Sequence, residues 1–387
     1  MNISELRESN ELVNLFCTLA EIPSPSLQEE KVIEWICNYC KENNLQCETD
    51  DYKNVYIKIP ATDPTKDSVL LSAHMDVIGD DSPIIAELDG DLIKANNRTL
   101  GADDKAGVTN ALYFAKELNK RTDLAHGGLE ILFTRDEESG MTGIKHADFN
   151  RINSKYVLVL DSDSLGQCLV SGASYVMVDL KVNSPKGGHS GNDIGDETRE
   201  NAAKLIADII SDMPQGVFFS ENGQVVNSCN LGGISAGDVE VTNVINTDAH
   251  ATYSIRSSRK DKENELIQTM QEIVDVFNAK HQGIATATIT FTEKMPMFEK
   301  NEDEYLPILF EAVARKVGLE PEISSFHAGA ETHIYANKTN SKGEKFSPYL
   351  LGLATVCNMH SAREYVDYKS MLKGQELLQA LFEAYNK

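Results

Sequence analysis

At 387 residues the chain can bury one large core or two ordinary ones, and its 41% hydrophobic and 25% charged residues exclude a fibre, a miniature scaffold and wholesale disorder. The formal charge of -24 is spread along the chain and disfavours nucleic acid or an anionic membrane as a partner, because phosphate binding needs a basic face. No apolar run approaches a membrane span, and Met1 to Glu8 lack the basic-then-apolar pattern of a secretory leader, so a cytoplasmic location is expected.

The cysteines (Cys17, Cys37, Cys40, Cys47, Cys168, Cys229, Cys357) are odd in number and scattered, which suits reduced thiols. From Ser4 to Asn44 the apolar positions Leu12, Leu15, Phe16, Leu19, then Val32, Ile33 and Ile36 recur at helical spacing. Ile22-Pro23-Ser24-Pro25 interrupts them, so two helices flanking a turn are expected. Cys37 and Cys40 form a C-x-x-C inside the second helical pattern, with no second pair to complete a metal site. Two β-branched runs follow, Val55 to Ile59 and Val69 to Ala73, then a helical stretch from Lys105 to Asn119 and strands at Leu129 to Thr134 and Tyr156 to Leu160. Buried strands alternating with helices predict an α/β sheet covered on both faces.

After about residue 175 the texture changes to half-alternating strands such as Val176 to Val182, with helices at Arg199 to Met213 and Lys262 to Lys280. Beyond Met297 the α/β texture returns, with a helix at Tyr305 to Lys316, a strand at Tyr349 to Leu353 and a last helix at Tyr368 to Tyr385. The expected organisation is a discontinuous catalytic domain, residues 1–175 and 297–387, interrupted by an α+β insertion at 176–296.

Metal-binding residue types recur where these strands end. His74-x-Asp76 follows the first buried strand, and on extended backbone both side chains face the same way, so Asp76 could fix the tautomer of His74. Gly101-Ala102-Asp103-Asp104-Lys105 enters a helix, where an aspartate also serves as an ordinary N-cap. Asp136-Glu137-Glu138 follows the strand ending at Thr134; adjacent acids repel unless a cation compensates them or solvent screens them. Asp161-Ser162-Asp163 and His360-Ser361-Ala362-Arg363-Glu364 complete the set. Singly, His74 reads more readily as an ordinary polar turn residue, and the other segments read equally well as polar loops. Together they fall at the carboxyl ends of strands, where open α/β sheets bind ligands.

In this order, His74-x-Asp76, Gly101 to Lys105, Glu137-Glu138, Asp161 and His360-x-x-x-Glu364 resemble the zinc exopeptidase family that includes peptidase T, the Xaa-His dipeptidase, carboxypeptidase G and aminoacylase. The resemblance covers nearly the whole chain and extends to Gly187-Gly188-His189-Ser190-Gly191 and Ser254-Ile255-Arg256-Ser257 in the insertion. Gly101 to Gly107 and Leu160 to Asp163 look most like peptidase T, whereas Gly187 to Ile194 and His327-Ala328-Gly329-Ala330-Glu331 look more like the Xaa-His dipeptidase.

The resemblance implies a mixed central sheet flanked by helices and an inserted lid or dimerisation domain. It implies two zinc ions, with cobalt or manganese as alternatives: one held by Glu138 and His360, the other by His74 and Asp161, with Asp103 bridging. It further implies Glu137 as general base, Asp76 behind His74, His189 as an oxyanion donor across a dimer interface, Arg256 and Asn243 for the substrate carboxylate, and a cis Asp103-Asp104 bond. The substrate expected is a di- or tripeptide losing its N-terminal residue. An N-acyl amino acid amidase and a non-hydrolytic amino-acid-binding protein are the alternatives.

Overall fold

A computed structural model describes residues 2–387. The chain divides into two compact units: residues up to Ser171 with Lys300–Ser324 and Ala330–Lys387, and Gly172–Glu299 with Ser325–Gly329. Gly172 and Phe298 exchange two backbone hydrogen bonds, 2.8 and 3.1 Å, at the foot of the second unit. This pairing is why residues 172–175 and 297–299 group with the insertion.

The amino-terminal region forms three helices, Ile3–Ser9, Glu11–Ala20 and Glu30–Glu42, where two were expected. Asn10 makes the extra break: its backbone is extended (φ -139°) and its side chain accepts from Val13 N at 3.1 Å, capping the second helix. Cys37 and Cys40 lie on the third helix. Cys37 Sγ is 3.7 Å from Cys47 Sγ, and burial pushes the Cys37 thiol up to about 11, so it stays protonated at neutral pH.

The first unit is built on an eight-stranded mixed sheet, in the order Gln46–Thr49, Val55–Ile59, Leu129–Thr134, Val69–His74, Tyr156–Val159, Ser347–Leu351, Gln167–Gly172, Glu322–Phe326. Leu129–Thr134, Val69–His74, Tyr156–Val159 and Ser347–Leu351 run parallel, and the outer neighbours are antiparallel. Every residue of Val69–His74 and Leu129–Thr134 is buried, as a strand covered on both faces requires. Their side chains pack with Phe114, Phe310, Leu377 and Leu381 from the flanking helices Ala102–Leu118, Tyr305–Lys316 and Tyr368–Tyr385. His74 stands opposite Thr134, and Ser72 opposite Val159, so three neighbouring strands leave the sheet at one edge. A second sheet of this unit, Thr355–Cys357, Tyr365–Asp367, Leu92–Ala95 and Ala86–Asp89, carries His360 in the connection between its first two strands.

The second unit is a five-stranded antiparallel sheet in the order Gly216–Glu221, Gln224–Ala236, Asp248–Ser257, Tyr175–Asn183, Thr286–Met295. Alternate residues of Tyr175–Asn183 are buried, and Val178, Leu180 and Ile255 pack against Ile206 and Met270 from helices Ala202–Asp212 and Lys260–Lys280. Its core is separate from that of the first unit.

Candidate metal centre

His74 ends the central strand and is 2% exposed. Its Nε2 lies 3.2 Å from Asp103 Oδ1 and 3.5 Å from Asp161 Oδ1. The other oxygen of Asp103, Oδ2, lies 3.1 Å from His360 Nε2, and that nitrogen is 3.0 Å from Glu138 Oε1. Asp103 therefore stands between two imidazole-carboxylate pairs, His74 with Asp161 and His360 with Glu138. The site is asymmetric in exposure, since the His360 side chain is 51% exposed. Solvent reaches the centre from the His360 side.

Asp103 is presented by the turn into the helix Ala102–Leu118, through a cis Asp103-Asp104 bond as the resemblance implied. Gly101 enters this turn at φ 75°, and a Cβ there would lie 2.6 Å from Val77 Cγ1, so only glycine fits. Glu364 holds the turn from the carboxyl-terminal segment: its carboxylate accepts from Gly101 N at 2.9 Å and Asp103 N at 3.2 Å. Glu364→Ala strips two amides of their acceptor and is expected to lower unfolding stability by about 1–3 kcal/mol. Urea titration of the ion-free protein checks this, and an unchanged midpoint would contradict the assignment. Lys105 does not face the centre. It is fully buried and donates to the carbonyls of Leu19 and Ile22, both at 3.1 Å, while burial lowers its pKa to about 7.

Asp76 has a wider part than fixing His74. The Nδ1 of His74 is nearer the Asp76 carbonyl, 3.0 Å, than its carboxylate, 3.4 Å. The carboxylate instead accepts from Glu137 N at 2.9 Å, Glu138 N at 3.2 Å and Ser26 Oγ at 2.7 Å. It thus fixes the backbone at Glu137 and Glu138.

The electrostatics of the cluster are those of a site built around positive charge. Burial raises Glu138 to about 7 and Asp161 to about 7, the latter helped by the neighbouring Asp103 carboxylate. Glu137 is pushed well above its ordinary range by burial, with Asp161, Glu331 and Glu138 adding repulsion against the pull of His74. Burial would raise Asp103 too, but hydrogen bonds from His360 and His74 carry it below the usual carboxylate range. The bond to Asp103 lifts His360 to about 9. Glu138 Oε1 is buried without a well-aligned hydrogen-bond donor, and so is Asp104 Oδ2, whose partner oxygen accepts from Gly107 N at 2.9 Å. Acceptor-only oxygens left this way are costly unless a cation meets them. The donor atoms of His74, Asp103 and Glu138 lie within 4.8 Å of one another, as do those of His74, Asp104 and Asp161. Carboxylate and imidazole donors at this spacing fit a divalent ion of the zinc, cobalt or manganese type.

His189, Asn243 and Arg256 belong to the second unit. His189 is exposed, and its Nδ1 accepts from Gly191 N at 3.1 Å and Asn192 N at 3.3 Å, which puts the proton of the neutral ring on Nε2. Asn243 lies beside it, its carbonyl accepting from Ser190 N at 3.0 Å. The Arg256 guanidinium sits 4.4 Å from the centre of the Tyr175 ring. Opposite it on the next strand, Ser228 Oγ is 2.6 Å from His327 Nε2. The other two histidines of the second unit pair elsewhere: His250 with Asp179 and His281 with Glu200.

Sequence reasoning named Glu331 only within a motif and gave no part to Glu29 or Arg135, the other buried supports. Glu29 and Arg135 form an ion pair beneath the Glu137 loop. Glu331, 1% exposed and raised to about 7 by burial, shares Ser72 Oγ with Tyr335. An acid after a turn carries no sign of burial, so only the three-dimensional packing reveals these groups.

Residues 70–384 match the family described as peptidase family M20/M25/M40. Over 330 residues the chain is 26% identical to the cytosol non-specific dipeptidase of Escherichia coli (strain K12), covering 77% of this chain but 64% of that protein. It is 25% identical to peptidase T of Listeria monocytogenes serotype 4b (strain CLIP80459), over 93% of this chain and 83% of that one. In fold it is similar to the aminopeptidase PepT of Bacillus cereus ATCC 10987, with a TM-score of 0.86 and 23% identity, over 97% of this chain and 98% of that one.

Proposed function

Because the chain belongs to peptidase family M20/M25/M40, we propose that it is a metallo-exopeptidase that releases the N-terminal amino acid from di- or tripeptides. The observation that carries this reading is Asp103, with one oxygen toward His74 and the other toward His360. That arrangement suits a carboxylate bridging two ions, one between His74 and Asp161 and one between His360 and Glu138. Two zinc ions, or cobalt or manganese, would supply Lewis acidity and an acidified water at such a centre.

Glu137 is the general base. Its raised proton affinity suits it to take a proton from water and return it to the leaving amine as the peptide C–N bond breaks. Asp76 aims Glu137 by holding its amide. In the second unit, the Nε2–H of His189 is available to an oxyanion, and Arg256 and Asn243 can receive the free carboxylate of a short peptide. Exposed Val244 pairs with His189 in a two-stranded ladder, and exposed Ile194, Val239 and Val241 lie close in the chain to one or other of these strands, which supports use of this region as a face between two copies. No helix of the described residues is long and apolar enough to cross a membrane. A cytoplasmic site of action agrees with this and with the cysteines, which are all free.

The test is a panel of dipeptides, tripeptides and N-acyl amino acids incubated with zinc, cobalt or manganese, with the released amino acid followed by chromatography. Release of the N-terminal residue from short peptides is expected. Cleavage confined to N-acyl amino acids would replace the peptidase by the amidase alternative.

A further inference from the structure

The turn Ser26 to Glu29 makes two separate grips on the loop that carries Glu137 and Glu138. The first runs through Asp76: Ser26 Oγ donates to Asp76 Oδ2, the oxygen that also accepts from Glu138 N. The second is direct. Glu29 is fully buried, and each of its oxygens accepts two N–H groups. Oε1 takes Leu27 N at 2.9 Å and Asp136 N at 3.0 Å, while Oε2 takes Arg135 Nε at 2.9 Å and Arg135 Nη2 at 2.6 Å. Four donors saturate the carboxylate.

The gripped segment needs restraint. Asp136 sits in the left-handed region at φ 55°, a conformation that non-glycine residues enter rarely, and Met141 does the same at φ 53°. Between them lies the single turn Glu137–Gly140, which the Asp136 carboxylate also ties to the hydroxyls of Ser139 and Thr142, so the bend at Asp136 sets the course of the whole segment. The far end is pinned as well. Asn54 Nδ2 donates to Gly143 O at 3.0 Å, and Gly143 lies so close to Arg135 that a Cβ would stand 2.2 Å from its carbonyl oxygen.

We propose that Glu29, with Arg135, is a positioning residue for both acids: it fixes the Asp136 bend, and the bend sends the Glu137 and Glu138 side chains in different directions. The proposal rests on the peptidase reading for Glu137 and on the divalent-ion reading for Glu138. Acceptor-only demand at Glu29 makes the isosteric amide a sharp probe, because either orientation of a glutamine turns an N–H₂ toward N–H donors.

The experiment compares wild type, Glu29→Gln and Arg135→Lys in two readouts, both normalised to the folded fraction from near-ultraviolet circular dichroism. In the first, ion-free protein is titrated with zinc against a chromophoric chelator. Wild type is expected to take two ions, and Glu29→Gln to hold one of them about tenfold or more weaker while the other is unchanged, since His74 and Asp161 lie on the neighbouring strands. In the second, the best peptide of the panel is used; kcat is expected to fall by about a hundredfold with KM within about twofold, the signature of a displaced base rather than of lost binding. Arg135→Lys keeps the charge with a single point of contact and should fall between the two. Folded Glu29→Gln with wild-type zinc affinities and wild-type kcat overturns the proposal. Should Glu29→Gln not fold, Arg135→Lys decides alone, and wild-type behaviour overturns it equally. If wild type cleaves no peptide, the peptidase reading fails, and the zinc titration still judges the clamp.

Discussion

Glu137→Gln is expected to cut turnover by roughly a hundredfold or more while the metal content stays at the wild-type value. The side chain keeps its size, and the backbone amide that Asp76 holds is untouched. What disappears is the ability to accept a proton. Its carboxylate is absent from both clusters of candidate ligand atoms around His74, so its amide should displace no ion. Steady-state kinetics paired with elemental analysis reads both quantities on one preparation. Loss of one ion together with activity would exchange the parts given to Glu137 and Glu138.

Removal of the ions should abolish hydrolysis entirely, and zinc or cobalt should restore it. A strong pH dependence of rebinding is expected to accompany this, and its sign follows from the charges of the ion-free site. The Asp103 bond holds a proton on His360 up to about 9, and burial holds protons on Glu138 and Asp161 up to about 7. An ion must displace whichever protons are present. Below about 7 all three groups carry one; above about 9 none does. Apparent affinity should therefore rise with pH across that window, with proton release greatest at the acid side. Calorimetric titration in two buffers of different ionisation enthalpy measures the release directly. Undiminished hydrolysis by a sample shown to be free of metal would falsify the metallo-enzyme reading.

The mixed sheet and the positions of His74, Glu137, Glu138 and Asp161 were legible for one reason, whereas Asp103 and His360 stood out through motifs that resemble the family's. A strand buried on both faces is written as a largely apolar run, so the polar residues just past its end stand out. Val69 to Ala73 before His74, Leu129 to Thr134 before Glu137, and Tyr156 to Leu160 before Asp161 all have this form. His189 and Arg256 stood out through glycine-rich and strand-end motifs that resemble the family's. Illegible were the residues whose partners lie far along the chain. Glu29 reads as one acid in Glu29-Glu30, yet it answers Arg135, 106 residues away. Glu364 was visible in its motif, but nothing in its spacing pointed to the amides of Gly101 and Asp103, 263 and 261 residues away. Asn10 shows the same limit locally: an asparagine inside a helical pattern reads as a surface position until its cap is seen.

The Gly172 and Phe298 pairing bears on how the chain tolerates so long a gap between residues that must meet. Asp103 and His360 are 257 residues apart, and the whole of the second unit intervenes. Closing a loop costs entropy that grows only with the logarithm of its length, about 0.6 kcal/mol per doubling. Much of that cost is lifted here, because two backbone hydrogen bonds bring the two ends of the second unit's main segment side by side. Seen from the sheet, the intervening residues act as a short connection of nearly fixed span. The second unit can thus lengthen, shorten or exchange loops over evolutionary time without changing the distance that His360 must cover to reach Asp103.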